Sequence, residues 1–367
     1  RIESPDKKGD PMKNNQLMIY GAYGYAGELM VREAVAQGLR PIIAGRDDEK
    51  LKPIATELSL ECRAFGVRNT GSNLQDISVL LNCAGPFSAT AEPLARACLA
   101  QQIHYLDITG EIDIFRKCHA LDEEARQQNV LILPGAGTDI VPTDCLAAML
   151  KEKLPVATRI DLALSFGTNP SIGTVNTMIE SFGKGGLIRE GGMLKVVSNA
   201  FQMRKIPFQN KPQWAMTIPW GDVFTSGIST GVPDGAVYMA MPRMSIYMIR
   251  LTNPVKGILN TQFGQKITKR LAGWLMKKGP DAKALEAGRG QFWGEAEAPD
   301  GEKLEMTMST PNVYALTATV GIRIAQYCLD YTGPGGYYTP SMLLGSRFIE
   351  SIPGIEVHVL NQRLRKI

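Results

Sequence analysis

The chain predicts an α/β protein: a Rossmann-type, doubly wound parallel sheet with a second, α+β substrate domain. Three observations predict it. Apolar segments of strand length alternate with helical segments from Met18 to Leu133. A glycine triplet, Gly21, Gly24 and Gly27, stands between the first strand and the first helix. After Leu150 the texture changes to Gly- and Met-rich stretches carrying Trp214, Trp220 and Trp293.

The first strand ends at Met18-Ile19-Tyr20, and Gly21-Ala22-Tyr23-Gly24-Tyr25-Ala26-Gly27 follows it directly. Glu28 to Gln37 reads as a helix, with Leu29, Met30, Ala34 and Val35 on its apolar side and Gly38 as its stop. Strand, glycine turn, helix and a second strand, Pro41 to Arg46, form the first unit of a dinucleotide-binding sheet. The glycines allow a tight turn, close approach of a pyrophosphate, and close packing of helix on strand. The helix N-terminus adds N–H groups and partial positive charge. The spacing is G-x-x-G-x-x-G, a variant of the usual G-x-G-x-x-G device.

The end of the second strand decides the cofactor. An NAD site places an acidic side chain there to accept hydrogen bonds from the ribose. This strand ends in Gly45-Arg46, where a small residue leaves room for a phosphate and a guanidinium can pair with it. Asp47 and Asp48 come one step later and suit the cap of a helix starting near Glu49. The competing use of Arg46 is a surface ion pair with Asp48. NADP(H) is the expected cofactor.

The remaining elements continue the alternation. Glu61–Val67 reads as a short third strand, and Val79–Pro86 as a fully apolar strand ending in a Gly-Pro stop. Ala91–Gln101 reads as a helix, His104–Glu111 as a strand with a polar carboxyl end, Asp113–Gln128 as a helix, and Val130–Gly135 as the next strand. Uninterrupted apolar strands separated by helices mean a parallel sheet covered on both faces. Ligands of such sheets bind beyond the strands' carboxyl ends. Arg159–Phe166 reads as a strand of the second domain, and Thr339-Pro340 as the cap and first position of a late helix. The expected organisation is a tail over 1–11, an NADP-binding domain over 12–150, and a substrate and dimerisation domain over 151–332. A closing segment over 333–367 is expected to return to the first domain.

Composition narrows the class. The chain has 367 residues, 44% hydrophobic and 21% charged, with a net charge of +4. That length suits two domains of roughly 100–200 residues each. So small a charge gives no case for nucleic acid. Six cysteines are scattered without paired spacing, which suggests buried thiols and a cytoplasmic protein rather than zinc or a disulfide framework. No apolar run approaches the ~18 residues of a membrane helix. Arg1–Pro11 is charged and precedes Met12, so it reads as an expression scar or disordered tail and not as a signal peptide.

Taken together, Gly21–Gly27, Ala44-Gly45-Arg46, Asn82–Phe87 and Tyr105–Glu111 resemble the saccharopine dehydrogenase-like reductases. The resemblance continues through Gly137–Asp144, Pro219–Asp222, Ser229–Asp234, Val237–Ala240 and Pro334–Pro340, and so covers nearly the whole chain after Met12. The last elements are most similar to the bacterial branch that includes trans-acting enoyl reductases. The chain departs from the family pattern at Tyr23 and Ala26, where Thr is usual, and at Ile140, where Ser is usual. The resemblance implies the fold and NADP use. It does not fix a substrate, because the family's substrates are diverse.

In such an enzyme the nicotinamide carries the hydride, and the protein supplies position, electrostatics and a proton. His104, His119 and His358 fall away from the expected crevice, so no catalytic histidine is assigned. Of the crevice acids, one of Glu111 and Asp139 is expected to touch substrate or cofactor, and Tyr238 is a further proton-donor candidate. Trp220 and Asp222 are expected to close over the site with Tyr238. The expected cofactor residues are Gly21, Ala22, Tyr23, Gly24, Tyr25, Ala26, Gly27, Gly45, Arg46, Cys83, Ala84, Gly85, Pro86, Phe87, Thr109 and Gly110, with no metal. Phe87 is expected as an apolar wall beside the nicotinamide ribose.

From Ala236 to Pro280 there are eight Lys and Arg and no Asp or Glu. Phe263, Ile267, Leu271, Trp274 and Leu275 recur there at helical spacing, interleaved with Lys266, Lys269, Arg270, Lys277 and Lys278. A basic amphipathic helix fits an acidic carrier protein or a membrane surface, and equally an internal or homodimer interface. The leading expectation is NADPH-dependent reduction of the C=C of an enoyl thioester, free or carrier-bound, in lipid or polyketide assembly. The alternatives are reduction of an imine, as in saccharopine-type amino acid dehydrogenases, and a non-catalytic NADP-binding scaffold.

Overall fold

The computed structural model describes residues 15–166, 185–251, 253–255 and 288–363. The described residues form two compact units whose segments interleave along the chain. The first holds the residues up to Asp107, then Ala120–Ile132 and Ile322–Tyr337; the second holds Ile108–His119, Leu133–Gly321 and the residues from Tyr338 on.

The first unit is built on a seven-stranded parallel sheet. Its strands are β1 (Leu17–Tyr20), β2 (Ile42–Gly45), β3 (Cys62–Ala64), β4 (Val79–Asn82), β5 (His104–Asp107), β6 (Leu131–Leu133) and a last short strand, Gly336–Tyr337. In space the last strand comes first, followed by β6, β5, β4, β1, β2 and β3. The chain winds from β1 outward to β3, then crosses back to place β4 on the other side of β1, with Tyr20 opposite Asn82. The gap between the carboxyl ends of β1 and β4 is therefore the switch point at which doubly wound sheets take ligands. All four residues of β1, of β2 and of β4 are buried, as strands covered on both faces require. Each large apolar side chain removed from water there contributes roughly 1.5–3 kcal/mol, which makes these strands the unit's core.

Helices α1 (Tyr25–Ala36), α2 (Asp48–Leu58), α3 (Phe87–Ala100), α4 (Ile112–His119), α5 (Asp122–Gln128) and α6 (Val141–Lys153) alternate with the strands. Asp47 caps α2, its side chain accepting from the Lys50 N–H at 3.3 Å. The single helix expected over 113–128 is two. α5 restarts on Asp122, Glu123 and Glu124, three acids placed where the positive end of a helix dipole favours them. α3 starts at Phe87, immediately after Pro86, four residues before the expected start.

The second unit centres on a mixed sheet. In spatial order its strands are Met203–Pro207, Pro212–Thr217, Asp234–Ala240, Arg159–Ser165, Gly290–Glu297, Lys303–Thr310 and Glu356–Arg363, and the hairpin Gly186–Glu190/Met193–Val197 pairs with Asp234–Ala240. Only the Asp234–Ala240/Arg159–Ser165 pair is parallel among these. α6 packs on this sheet, with Leu146 and Leu150 against Gly294 and Leu162. The closing segment divides between the units. Gly336–Tyr337 adds an edge strand beside β6, whereas helix Pro340–Leu344, capped by Thr339 with Pro340 in its first turn, belongs to the second unit.

Residues 1–14 and most of the basic segment, from 256 to 280, lie outside the described residues, so Phe263 through Lys278 are not placed. All six cysteines are free, and five of them are buried. Among the described residues no helix is long and apolar enough to cross a membrane, and no His, Cys, Asp and Glu cluster forms a metal site.

Candidate functional site

A cavity of about 490 Å³ opens at the carboxyl ends of β1, β2 and β4. Gly21, Tyr23 and Gly24 line it from the first turn, Gly45 and Arg46 from the end of β2, and Cys83, Ala84, Gly85 and Pro86 from the loop after β4. These nine sequence-selected positions come from three separate segments and meet at one place.

The turn is shaped by its glycines. Gly21 has φ +85°, which only glycine adopts without strain, and a Cβ there would lie 2.7 Å from the Ala84 nitrogen. A Cβ on Gly27 would fall 2.2 Å from the Gly21 carbonyl oxygen, so α1 can sit on the turn only without one. The Gly21 and Ala22 amides both donate to the Ala44 carbonyl, at 2.7 and 3.1 Å, and are thereby committed within the protein. The first N–H groups of α1, such as those of Ala26 and Gly27, have no intrahelical carbonyl to bond, and the N-cap Gly24 makes no side-chain cap hydrogen bond, so this helix start suits an anion.

The role expected of Gly45 changes. The space over it is taken by the ring of Tyr23, whose Cε1 would lie 2.6 Å from an added Cβ, and Lys50 stands 5.6 Å over that ring. Arg46 does not pair with Asp48. Asp48 is bound by Lys52 at 2.8 Å and Asp47 by Lys50 at 3.3 Å, and Arg46 makes no hydrogen bond or ion pair among the described residues. A glycine cradle, an uncapped helix start and an unpaired guanidinium on one cavity suit a phosphorylated dinucleotide.

A buried network missed by sequence reading braces the loop after β4. Asn82, wholly buried, accepts from the Ala84 N–H at 3.0 Å and donates to the Tyr105 hydroxyl at 3.1 Å; Tyr105 in turn donates to Asp107 at 2.9 Å. Thr90 holds the Ala84 carbonyl at 2.6 Å. Burial, reinforced by Asp107, pushes the Cys83 thiol up, so it stays protonated. The cavity also draws in Tyr20, Gly66, Val67, Arg68, Ala89 and Thr90, none of which sequence reading selected.

Other selected residues sit elsewhere. Ala22 is fully buried beneath the turn, and Phe87 is the half-buried first residue of α3 rather than a wall of the cavity. Thr109 is buried and accepts the Glu111 N–H at 3.1 Å, and the Glu111 carbonyl receives the first amides of α4. Gly110 belongs to the second unit, where its carbonyl accepts the Gly221 N–H at 3.0 Å and its Cα faces Asp139 Oδ2 and Trp220. Tyr238 is no free proton donor: it is buried, its hydroxyl donates to Gln202, and burial raises it to about 12. Arg204 lies 5.7 Å over its ring and 4.6 Å over Trp293. His104 accepts the Leu131 N–H at 3.0 Å and His119 packs edge-on to Phe224, both structural roles.

Three acids gather in the second unit. Asp139 is half-buried, its carboxyl beside Gly110, and desolvation raises it to about 6; its backbone carbonyl holds the Trp220 indole N–H at 2.9 Å. Asp144 is fully buried and accepts the Ser341 N–H at 2.7 Å, and burial raises its pKa. Asp222 is fully buried, with Thr143 at 2.7 Å on one oxygen and no partner on the other. Burial first, then Asp144 and Asp139, push it well above the usual carboxylate range. A carboxyl raised by folding stabilises the protein fully below the unfolded value of about 4 and loses that contribution as pH climbs through the folded value. Asp222→Asn should therefore unfold with a flatter pH dependence from about pH 5 upward, where one proton corresponds to a slope of about 1.4 kcal/mol per pH unit. Urea unfolding across that range measures it, and an unchanged slope would show that Asp222 is ionised in the folded protein.

Residues 17–133 match the saccharopine dehydrogenase NADP binding domain. The match spans strands β1 to β6 of the first unit's sheet. NADP is the cofactor of this chain, as the Gly45-Arg46 strand end predicted. The saccharopine dehydrogenase-like oxidoreductase of Rattus norvegicus is 25% identical over 231 residues, covering 55% of this chain and 53% of the relative. A putative trans-acting enoyl reductase of Mycobacterium tuberculosis is 28% identical over 205 residues, covering 50% of this chain and 44% of the relative. The chain thus spans about half the length of the curated relatives it matches. Apo saccharopine dehydrogenase (L-Glu forming) from Saccharomyces cerevisiae shares the fold, with a TM-score of 0.64 at 9% identity over 94% of this chain and 100% of the yeast chain. The fold class is the one the sequence predicted.

Proposed function

We propose that this protein is an NADPH-dependent reductase of an enoyl thioester. The observation that carries the cofactor half is the cavity at the β1/β4 switch point, with its glycine cradle and unpaired Arg46. When bound there, NADPH supplies the hydride. The chain's own part is to hold the dinucleotide on the start of α1, to brace the loop after β4 through Asn82, Tyr105 and Asp107, and to deliver a proton to the substrate's α-carbon. Asp139 is the residue assigned that proton. Its carboxyl, raised to about 6, is roughly a tenth protonated at pH 7, which suits a group that must both release and regain a proton.

The substrate half rests on charge. A dicarboxylate imine calls for convergent free arginines, and the buried and half-buried arginines Arg159, Arg189 and Arg204 of the second unit are already engaged. Arg204 and Arg159 pair with Glu295 and Asp161, and Arg189 donates to the Val223 and Val232 carbonyls and to Ser226. An uncharged acyl chain needs none of them. The partial similarity to the M. tuberculosis enoyl reductase points the same way. Carrier delivery suits the acid-free stretch 236–280, whose described helix Arg243–Leu251 presents Met244, Met248 and Leu251 to solvent.

The test is loss of NADPH absorbance with an enoyl thioester, offered both carrier-bound and as a short soluble analogue, against an oxo acid with an amine. The reading expects turnover of the thioester, faster from the carrier. Turnover of the imine mixture alone would replace it with saccharopine-type chemistry. Binding of NADPH without turnover of either would leave a scaffold.

A further inference from the structure

We propose that Arg68 is the second guanidinium of the cofactor site, and that Arg46 and Arg68 together hold the 2′-phosphate of NADP(H). The proposal rests on the reading of the cavity as the dinucleotide site and adds a residue that the strand-end pattern does not contain. β3 runs into the segment Phe65–Asn69. That segment is fastened to the end of β2 by the Phe65 N–H on the Gly45 carbonyl at 2.9 Å, and to β1 by the Tyr20 hydroxyl on the Phe65 carbonyl at 2.9 Å. The Asn69 N–H closes onto the Gly66 carbonyl at 2.8 Å, with Arg68 inside the turn. Arg68 is thereby brought to the same cavity as Arg46, 22 positions earlier in the chain.

The charge around this pair is unbalanced in a specific way. Four neighbouring acids are paired with lysine or another arginine: Asp47 with Lys50 at 3.3 Å, Asp48 and Glu49 with Lys52 at 2.8 and 2.9 Å, and Glu61 with Arg63 at 2.7 Å. Arg46 and Arg68 make no ion pair or hydrogen bond among the described residues. Two like charges on one cavity without a counter-charge repel each other, and that cost disappears when a dianion sits between them. A phosphate monoester offers three acceptor oxygens to two planar forks, an arrangement a lysine cannot reproduce. On the same reading of the site, the diphosphate takes the start of α1. The remaining phosphate of the cofactor is the ligand left for the two arginines.

Calorimetric titration with 2′,5′-ADP and with 5′-AMP separates the possibilities without any turnover. The wild type is expected to prefer 2′,5′-ADP. Arg68→Ala should weaken 2′,5′-ADP about 10- to 100-fold, the range for a lost hydrogen-bonded charge, and leave 5′-AMP within about twofold. Arg68→Lys should fall between, and the effect should shrink as salt rises. Arg68 is exposed, and unchanged thermal unfolding of each variant confirms that folding is intact. Equal weakening of both ligands would place Arg68 on the adenosine, and no weakening of either would make it a surface cation; each result overturns the proposal. A wild type that does not distinguish the two ligands would overturn the NADP reading itself, and Arg68's role with it.

Discussion

Asp139→Asn is expected to lower the reductase turnover number by about 10²- to 10⁴-fold, the usual worth of a positioned proton donor, with NADPH affinity unchanged. The amide keeps the size of the carboxyl and loses the proton. In the wild type the direction of the pH effect follows from the raised carboxyl, at about 6. Below that value the acid is protonated and competent; above it the protonated fraction, and with it turnover, falls about tenfold per pH unit. The asparagine variant should lose that limb of the profile. Asp139 also holds Trp220 through its backbone carbonyl, a contact the substitution leaves in place, so the indole serves as an internal check on local structure. A variant with wild-type turnover, or one that keeps the limb near pH 6, would remove Asp139 from the chemistry.

Gly27→Ala is expected to be the most damaging single methyl in the molecule's first unit. The new carbon would lie 2.2 Å from the Gly21 oxygen, 2.9 Å from the Gly21 carbonyl carbon and 3.0 Å from the Ala22 Cα. All three are backbone atoms, so no side chain can rotate away. Either α1 lifts off or the turn opens, at a cost of about 1–3 kcal/mol or more, which should lower the unfolding temperature by about 5 °C. The amides at the start of α1 move with it, so NADPH affinity should drop at least about tenfold. Gly24→Ala is the matched control. Gly24 has φ −76° and a Cβ there would lie 3.2 Å from the Gly21 oxygen, a contact relieved by a small shift. Equal damage from the two variants, measured by thermal unfolding and NADPH titration, would mean that the triplet acts through flexibility rather than through this contact.

Features fixed by neighbours in the chain were legible before the fold was known. The buried strands β1, β2 and β4 read as apolar runs, the glycine turn read from its spacing, and Arg46 read from its place at a strand end. The α4/α5 break is also written locally, in Asp122, Glu123 and Glu124, although the apolar pattern runs across it. Features set by strand pairing were not legible. Arg68 reaches the cavity because β3 lies beside β2, and no local spacing announces that. The chain Asn82–Tyr105–Asp107 exists because β4 and β5 pair in register, with Leu80 opposite Tyr105 and Asn82 opposite Asp107. Tyr238 misled for the same reason: a phenol in an apolar strand looks available until the sheet supplies Gln202 and Arg204. The room above Gly45, which the sequence suggests for a phosphate, is filled by the ring of Tyr23 from 22 positions earlier in the chain.

The central claim is that NADP(H) occupies the cavity at the β1/β4 switch point with its diphosphate on the start of α1. Amide hydrogen exchange with and without NADPH tests it most directly. The account predicts slowed exchange at Tyr25, Ala26 and Gly27, at Ala84–Gly85 and across Gly66–Asn69, with a weaker response over the last segment when NADH is used instead. Unchanged exchange at the start of α1 in the presence of saturating NADPH would contradict it.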